Sequence, residues 1–408
     1  MNYIHRHLER KFTKMNEFFK VLLVTGARQV GKTTMLKHLC RNQNRTYISL
    51  DNEQACDLAR RDPVMFFQAY KPPILIDEIQ YAPSLFRQIK ILCDESEEPG
   101  RFWLTGSQHY GIMSSVSESL AGRIGIMNMF GLSQSEKQQI NFPDNLDFSF
   151  NSFQERATMA VKANLHNVYQ HIWQGTMPQV FNADFEKRFE YYESYLDSYL
   201  IRDIIELYSI VEINKFRKFI RACAAIIGQL VNFTTLAEAA EISTPTAKAW
   251  IDLLVGLGIV YLLPVYSNNA LKRLVKTPKL YFCDPGLAAH LSMWLTPETL
   301  TNGSASGRFF ENYVVMELVK HYAYAPRPAN LFFYRDFDKK EIDLCVETAE
   351  HIHPLEIKKS ANPNPREIRK FSLLQKPNLQ IGYGGIICLC EEPLPIDSAN
   401  SFIPCVLI

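Results

Sequence analysis

The sequence predicts an α/β protein built from several domains, and three observations carry this prediction. From residue 19 to about 133, short apolar runs alternate with amphipathic helical stretches, which is typical of a parallel sheet buried on both faces. From 134 to about 230 the strand signals vanish, and apolar residues recur every three or four positions, as in helices. From Gly307 onward, a helix followed by three strands predicts a second α/β unit.

Length and composition indicate an ordinary globular protein. The chain has 408 residues, 47% of them hydrophobic, and at ~100–200 residues per domain this length predicts two to four domains. The 44 Lys and Arg residues balance 43 Asp and Glu residues, so no overall charge attracts nucleic acid or membranes. Any such binding has to come from local patches.

Nothing in the sequence predicts export or a membrane span. The longest apolar runs, such as 21–24 and 259–263, fall far short of the ~20 residues that cross a bilayer, and the N-terminus has no apolar signal core. Nine scattered cysteines predict reduced thiols, and Cys388 and Cys390 are expected on one face of a strand, without enough further ligands for a metal. We therefore expect a cytoplasmic protein without a membrane partner.

The predicted parallel sheet comprises four apolar runs. These runs are residues 21–25, 46–50, 73–76 and 102–105. A loop that matches the pattern G-x-x-x-x-G-K-[ST] follows the first run and precedes the helical stretch 34–40. The residues of this candidate phosphate loop are Gly26, Ala27, Arg28, Gln29, Val30, Gly31, Lys32, Thr33 and Thr34.

This loop pattern has a direct chemical reason. The glycines let the backbone curl so that its N–H groups, together with the helix N-terminus, bind phosphates. Lys32 would contact the β- and γ-phosphates of ATP, and the Thr33 hydroxyl would ligate Mg²⁺. Strand, loop and helix in this order predict a nucleotide-binding P-loop domain.

Polar residues at the ends of later runs would complete this site. Asp77 would hold Mg²⁺ through water, and Glu78 would polarise the attacking water. Ser107, after the fourth run, would sense the γ-phosphate unless it belongs to a simple polar turn. Arg123 follows a glycine after the last predicted core strand. It would stabilise transition-state charge in its own subunit or in a neighbour, the alternative being a surface cation.

These motifs resemble the AAA+ superfamily, and more narrowly the bacterial and archaeal ATPases that join an AAA-type core to a C-terminal PD-(D/E)xK-like domain. The resemblance rests on residues 22–33, 75–80, 104–107, 119–123, 175–178, 202–203, 281–287 and 310–312. It covers nearly the whole chain in order and implies ATP hydrolysis, a helical lid, a winged helix and a nuclease-like domain. One departure is Phe130-Gly-Leu-Ser133, in place of a Pro-Leu-Ser turn at the entry to the lid.

The region after the helical stretch has the order expected for the winged helix that the resemblance implies. Residues 234–243 form a helix and turn, Thr244 and Pro245 cap a second helix, and the apolar strand 259–263 follows as a wing would. The expected buried stripe of the second helix is Ala247, Ile251 and Leu254, and its exposed face carries Thr246, Lys248 and Asp252.

A basic cluster follows this second helix. Its members are Lys272, Arg273, Lys276 and Lys279. Phosphate contacts from such a cluster would give sequence-independent affinity for DNA or another nucleic acid. The exposed helix face is only weakly cationic, so a winged helix that packs against protein is an equally open interpretation.

The C-terminal unit carries Glu356 and Lys358, with Asp343 thirteen residues before the glutamate. Two positions apart on a strand, Glu356 and Lys358 would point to the same side, beside Asp343 on the adjacent strand. Asp343 and Glu356 would bind Mg²⁺, Glu311 from the amphipathic helix 309–319 would complete the shell, and Lys358 would orient or activate the attacking water. This is the PD-(D/E)xK pattern, which also persists in domains that bind without cutting.

These predictions assign four domains. They are a P-loop AAA-type ATPase core at 1–133, a helical lid and connector at 134–225, a winged-helix-like region at 226–300 and a restriction-endonuclease-like PD-(D/E)xK domain at 301–408. The leading function is an ATPase whose nucleotide state controls nucleic-acid engagement. The alternative is a nucleotide-dependent signalling or scaffold ATPase whose C-terminal domain does not cleave. The resemblance also implies a homo-oligomer, since members of this superfamily often assemble.

Overall fold

The computed structural model describes residues 3–41, 43–107, 120–200, 212–266, 276–374 and 380–408. The chain forms two compact units: unit 1 comprises Met1–Leu132 and Gly256–Ile259, and unit 2 comprises Ser133–Val255 and Val260–Ile408. Within the described ranges, no helix has the length and hydropathy that a membrane span requires. Three residues of the segments that carry the resemblance, Ser119, Arg202 and Asp203, lie outside the described residues, as do Lys272 and Arg273 of the basic cluster.

Unit 1 is built on a five-stranded parallel sheet in the order β2-β3-β4-β1-β5. The strands are β1 Val21–Thr25, β2 Thr46–Ser49, β3 Ile74–Asp77, β4 Phe102–Thr105 and β5 Ile124–Asn128. The helices are α1 Leu8–Asn16, α2 Lys32–Cys40, α3 Glu53–Arg61, α4 Pro63–Ala69 and α5 Leu85–Asp94. The predicted α/β class is confirmed, and β1, β3 and β4 are buried at every position, as their apolar runs require.

The fifth strand lacks the continuous apolar run that predicts the other four. β5 pairs with β1 along its whole length, and Gly125 interrupts its apolar residues. A Cβ at Gly125 would lie 2.6 Å from the terminal methyl of Met15 in α1 and 2.8 Å from the Phe19 ring, so a larger residue would have to displace these side chains. Arg123 therefore does not follow the last core strand, as expected, but directly precedes β5.

Unit 2 begins with helices. They are α6 Gln134–Gln138, α7 Phe150–Met159, α8 Leu165–Gln174, α9 Phe185–Ser194 and α10 Ile213–Ala225. α6 starts at a capping box, in which the Ser133 hydroxyl accepts the Glu136 N–H at 3.1 Å and the Glu136 carboxylate accepts the Ser133 N–H at 2.8 Å. Ser133 thus begins a helix even though the expected proline is absent from this segment.

A small helix-and-sheet arrangement follows α10. Its elements are β6 Gln229–Leu230, α11 Phe233–Ala240, α12 Thr244–Gly256, β7 Val260–Leu263 and β8 Lys279–Phe282, with the antiparallel strand order β6-β8-β7. The predicted stripe is confirmed, since Ala247, Ile251 and Leu254 are fully buried. The helix cap lies one residue earlier than predicted, because the Ser243 hydroxyl accepts the Thr246 N–H at 3.2 Å.

The C-terminal part of unit 2 combines a mixed six-stranded sheet with a long helix. The helices are α13 Pro285–Leu291, α14 Pro297–Asn302 and α15 Ser306–Tyr324. The strands are β9 Asn330–Arg335, β10 Glu341–Glu347, β11 Ile352–Ile357, β12 Gly384–Cys388, β13 Leu394–Asp397 and β14 Asn400–Pro404, in the order β13-β14-β12-β11-β10-β9. α15 is buried on all sides rather than amphipathic, which corrects the expectation for residues 309–319.

Two segments that carry the resemblance, one after α8 and one before α13, meet around Asp284. Its carboxylate accepts the N–H groups of Thr176 at 3.2 Å and Gly286 at 2.7 Å, and the Tyr192 hydroxyl at 3.0 Å. Gly175 has a φ of +84°, and a Cβ at Gly286 would overlap its Cα. The close glycine contact and the buried carboxylate join α8 to α13, so these segments have a structural role.

Candidate functional site

The phosphate loop leaves the carboxyl end of β1 and enters α2. Gly31 has a φ of +101° directly before α2, and a Cβ at Gly26, where φ is +135°, would overlap the carbonyl oxygen of Met129. The Lys32 ammonium donates to the carbonyl oxygens of Gly26 at 3.0 Å and Ala27 at 2.8 Å. The loop therefore closes around the side chain that is predicted to bind phosphates.

Two residues that no motif singles out pack against this loop. Arg6 is 5% exposed, and its guanidinium donates to the carbonyl oxygens of Val30 at 2.8 Å and Phe130 at 2.7 Å. Gly258, with a φ of +69°, approaches Ala27 so closely that a Cβ would lie 3.2 Å from the Ala27 nitrogen. Both residues belong to unit 1 but lie far from the loop in sequence, so no local pattern could reveal them.

Asp77, at the end of β3, faces the loop. Its Oδ1 accepts the Thr33 hydroxyl at 2.7 Å and also the Thr105 hydroxyl, and its Oδ2 accepts the Tyr47 hydroxyl at 3.3 Å. Because the carboxyl ends of parallel strands meet at one edge of a sheet, Thr33 and Asp77 are in direct contact. These are the two residues predicted to hold the Mg²⁺ of the nucleotide site.

Glu78 lies at the same edge, with its backbone in the left-handed region at a φ of +58°. Its carboxylate accepts the Ser107 hydroxyl at 3.3 Å and the Gln80 amide, which also donates to the Ser107 hydroxyl at 3.2 Å. The structure thus brings Glu78 and Ser107 together. It adds Gln80, a residue of the resemblance to which the sequence assigns no role.

Arg123 lies at the amino ends of the strands, whereas the phosphate loop begins at their carboxyl ends. The next residue, Ile124, pairs with Val21 at the amino end of β1, so about 13 Å of strand, at ~3.3 Å per residue, separate Arg123 from the loop after Thr25. The Arg123 guanidinium forms an ion pair with Asp94 at 2.8 Å. This placement is incompatible with action on the nucleotide of the same subunit, and action on a neighbour's nucleotide stays a prediction.

A second charged cluster lies in unit 2, where β10 and β11 run side by side. The Lys358 ammonium donates to Asp343 Oδ2 at 3.1 Å and to Glu356 Oε2 at 2.7 Å. The Ile357 N–H donates to Asp343 Oδ2 at 2.9 Å, and Lys370 lies 3.4 Å from Glu356. The three residues of the predicted PD-(D/E)xK pattern are therefore in contact.

Burial and mutual repulsion govern the charges of this cluster. Burial raises the pKa of Glu356 to about 7, and the nearby Asp343 carboxylate adds to the shift. Burial also acts to raise the pKa of Asp343, but the ammonium groups of Lys358 and Lys279 outweigh it, and this pKa lies below its ordinary value. The two pKa shifts thus run in opposite directions, favouring the ionised form of Asp343 and the protonated form of Glu356.

One oxygen of the Glu356 carboxylate is a candidate ligand for a cation. It is fully buried, and its Oε1 has no hydrogen-bond partner among the described residues. A buried carboxylate oxygen of this kind, beside a second carboxylate, is a hard ligand of the type that Mg²⁺ and Mn²⁺ prefer. Across the described ranges, however, no three His, Cys, Asp or Glu side chains are arranged to hold a metal ion.

Glu311 has partners of its own. Its Oε1 accepts the Lys279 ammonium at 2.8 Å and the Tyr281 hydroxyl at 2.7 Å. Lys279 is 4% exposed and also lies 2.6 Å from Glu341 Oε1. The prediction that Lys279 contacts phosphates is therefore wrong, because two carboxylates bury its ammonium. Lys276 is exposed and remains a candidate for such contacts.

Three family models match consecutive parts of the chain. Residues 18–137 match a model described as an AAA domain. Residues 165–298 and 306–408 match two domains of unknown function, DUF8612 and DUF4143. An uncharacterised protein of Mycobacterium tuberculosis is 27% identical over 389 residues, which cover 94% of this chain and 80% of that protein. An uncharacterised protein of Methanocaldococcus jannaschii is 23% identical over 363 residues, which cover 83% and 77%.

Solved structures resemble the chain more distantly. A Walker-type ATPase of Pyrococcus abyssi matches with a TM-score of 0.45 and 15% identity, over 71% of this chain and 96% of that one. The RuvB Holliday junction branch migration motor of Thermotoga maritima matches with a TM-score of 0.31 and 13% identity, over 65% and 93%. The AAA match over residues 18–137, together with the phosphate loop and the Asp77–Glu78 pair at one edge of a parallel sheet, supports an AAA-type P-loop ATPase domain in this chain.

Proposed function

We propose that unit 1 binds ATP with Mg²⁺ and hydrolyses it. The observation that carries this proposal is the hydrogen bond from Thr33 to Asp77, with Glu78 and Ser107 at the same edge of the sheet. These four side chains come from the phosphate loop and from the ends of β3 and β4. They supply the ligands and the base that phosphoryl transfer to water needs.

Each of these residues has a distinct task in the proposed reaction. The loop N–H groups and Lys32 bind the β- and γ-phosphates, for which Lys32 gives up its carbonyl contacts. Thr33 and Asp77 would hold Mg²⁺, which neutralises phosphate charge when bound. Glu78 accepts a proton from the attacking water, and Ser107 keeps that carboxylate oriented.

A phosphate-release assay on the purified full chain tests this function. We expect ATP hydrolysis that depends on Mg²⁺ and a loss of at least about 100-fold in Asp77→Asn, because the metal ligand is neutralised. Asp51→Asn, at an exposed aspartate after β2, is the matched control and keeps the parent rate. Equal rates in Asp77→Asn and Asp51→Asn would sink the assignment.

A second proposed function concerns unit 2, which would engage nucleic acid under control of the nucleotide state. The observation that favours it is the unpartnered Glu356 Oε1 beside Asp343 and Lys358. Asp343 and Glu356 would hold Mg²⁺ or Mn²⁺, which polarises a scissile phosphate when bound. Lys358 balances the charge that develops on that phosphate. The order of helices and strands from α10 to β8 supports a winged helix, and the exposed Lys276 supports phosphate contacts.

Binding and cleavage of labelled DNA and RNA, single- and double-stranded, distinguish this function from its rival. We expect the affinity for nucleic acid to fall steeply between about 50 and 200 mM salt. A protein that makes six to ten phosphate contacts loses ~10³–10⁵-fold in affinity over this range. We also expect the affinity to differ between ATP-bound and nucleotide-free protein. If no nucleic acid binds in either state, the signalling or scaffold ATPase is the correct alternative. Binding without cleavage in Mg²⁺ or Mn²⁺ would make the C-terminal domain a binding module.

A further inference from the structure

Two cysteines of unit 2 lie next to each other where β12 ends. Cys388 is the last residue of β12 and is fully buried, whereas Cys390 is partly exposed. Their sulfur atoms are 3.3 Å apart. Side chains two positions apart in an extended chain point to the same side, which brings the two thiols together. All nine cysteines of the chain are free, so the pair is a dithiol.

The surroundings keep one sulfur inside the sheet and leave the other within reach of solvent. Leu389, between the two cysteines, donates its N–H to the Ser360 carbonyl at 2.9 Å, which ties the backbone here to the segment after β11. Cys390 is followed by the exposed Glu391. A small oxidant can therefore approach Cys390 from the solvent, while Cys388 lies behind it.

The contact between the sulfurs favours loss of one proton from the pair. The hydrogen bond with Cys390 lowers the pKa of the Cys388 thiol, whereas the same hydrogen bond, assisted by burial, raises the pKa of Cys390. Because only 3.3 Å separates the sulfurs, the remaining proton can pass from one to the other. The negative charge is then shared with the exposed sulfur of Cys390. This matters because the thiolate, not the thiol, is the nucleophile.

We propose that Cys388 and Cys390 are a redox-active pair that a hydroperoxide oxidises to a disulfide. The Cys390 thiolate attacks one oxygen of the hydroperoxide, the O–O bond breaks, and the other oxygen leaves and takes up a proton. Cys390 is then a sulfenic acid. The Cys388 sulfur attacks the Cys390 sulfur, the S–O bond breaks, and hydroxide leaves with the Cys388 proton as water. The two sulfurs together lose two electrons, which the hydroperoxide gains.

The spacing of the two cysteines also indicates that this disulfide is easily reduced. Two positions in an extended chain span about 6.6 Å between Cα atoms, near the upper end of the ~4.4–6.8 Å that disulfides bridge. A disulfide at this limit is strained, and strained disulfides are the labile ones. The pair therefore alternates between a dithiol and a disulfide and does not form a permanent crosslink.

Treatment of the reduced full chain with hydrogen peroxide, followed by alkylation of free thiols and mass spectrometry, tests the proposal. Proteolysis at glutamate cuts after Glu391 and so separates the pair from Cys405. We expect the peptide that contains Cys388 and Cys390 to lose two hydrogens and to escape alkylation, and dithiothreitol to restore both thiols. Cys40→Ser, at a partly exposed cysteine of unit 1, is the control and should form the same disulfide.

Two variants separate the roles of the sulfurs. Cys388→Ser keeps the exposed thiol without its partner, so we expect no disulfide and a sulfenic acid at Cys390 that dimedone traps. If Cys388→Ser does not fold, Cys390→Ser, at the partly exposed position, should lose both the disulfide and the dimedone adduct of this peptide. The proposal is overturned if both thiols of the treated parent stay reduced, or if the disulfide joins Cys388 to Cys405 instead.

Discussion

The Thr33 hydroxyl donates a hydrogen bond of 2.7 Å to Asp77, although 44 positions separate the two residues. The contact follows from the sheet order, in which β3 and β1 flank β4 and all three strands point the same way. The residue that ends β3 therefore lies within reach of the first turn of α2. The contact brings together the two side chains that would hold Mg²⁺ at the nucleotide site, where the metal would neutralise phosphate charge.

Lys32→Ala should abolish ATP affinity, because the β- and γ-phosphates lose their positive partner. Binding of a fluorescent ATP analogue to the full chain measures this effect. Lys37→Ala, at an exposed lysine of the same helix, should bind like the parent. If Lys32→Ala binds ATP as tightly as the parent does, the nucleotide site lies elsewhere.

Glu78→Gln should bind ATP normally but hydrolyse it more slowly by ~100-fold or more, the size of a general-base contribution. The amide still accepts the Ser107 hydroxyl, so the local geometry is kept while the base is lost. Nucleotide binding and single-turnover hydrolysis separate the two effects. Glu53→Gln, at an exposed position of α3, serves as the control, and a normal rate in Glu78→Gln would exclude Glu78 as the base.

Arg123→Ala should impair hydrolysis only through a neighbouring subunit, because Arg123 lies at the sheet edge opposite its own phosphate loop. Mixing Arg123→Ala protein with Glu78→Gln protein should then restore part of the activity, since some interfaces combine an intact loop with an intact arginine. Phosphate release from the mixture measures this recovery.

The ion pair with Asp94 provides the control for this experiment. Asp94→Asn frees the Arg123 guanidinium without removing it, so activity should persist. If Arg123→Ala and Glu78→Gln are each inactive alone and their mixture recovers no activity, Arg123 does not act on a neighbouring subunit.

Lys358→Ala should abolish nucleic-acid cleavage while sparing Mn²⁺ binding, whereas Asp343→Asn should weaken both. The difference follows from the contacts, because Lys358 donates to the two carboxylates but supplies no metal ligand. Cleavage of labelled DNA and direct Mn²⁺ titration give the two readouts. If both variants still cleave nucleic acid like the parent, the nuclease activity comes from a contaminant or from another site.

Acid should destabilise the folded chain partly through His171. Burial, assisted by the charge of Lys137, lowers the pKa of His171 to about 4, whereas the unfolded residue titrates near its ordinary 6.5. The unfolded state thus binds more protons between these values, and this contribution to stability is present above pH ~6.5 and is lost as the pH falls toward 4. Unfolding temperatures at pH 7.5 and 5 should differ less in His171→Asn than in the parent. The exposed His166 of the same helix is the control, and an unchanged pH difference in His171→Asn would refute this role.

The sequence predicts the phosphate loop and the Asp77–Glu78 pair because each motif lies at a strand end and keeps its local order in the fold. It cannot predict Arg6, whose guanidinium reaches two carbonyl oxygens through tertiary packing alone. Lys279 shows the converse, since it reads as part of a basic cluster but faces inward on a strand. The effect of a charge depends on what packs around it. β5 is missed by the sequence analysis because Gly125, which packs closely against Met15 of α1, interrupts its apolar pattern.

Unit 1 takes its last four residues, Gly256–Ile259, from a point in the chain beyond the first helices of unit 2. A ribosome that has completed Leu132 must add the 127 residues from 133 to 259 before that segment exists, which takes about 6–25 s at ~5–20 residues per second. During this interval the nascent phosphate loop has no Gly258 to pack against Ala27. The loop therefore acquires its final neighbour late in translation, and a nucleotide that meets the growing chain encounters a less constrained loop than the finished protein presents.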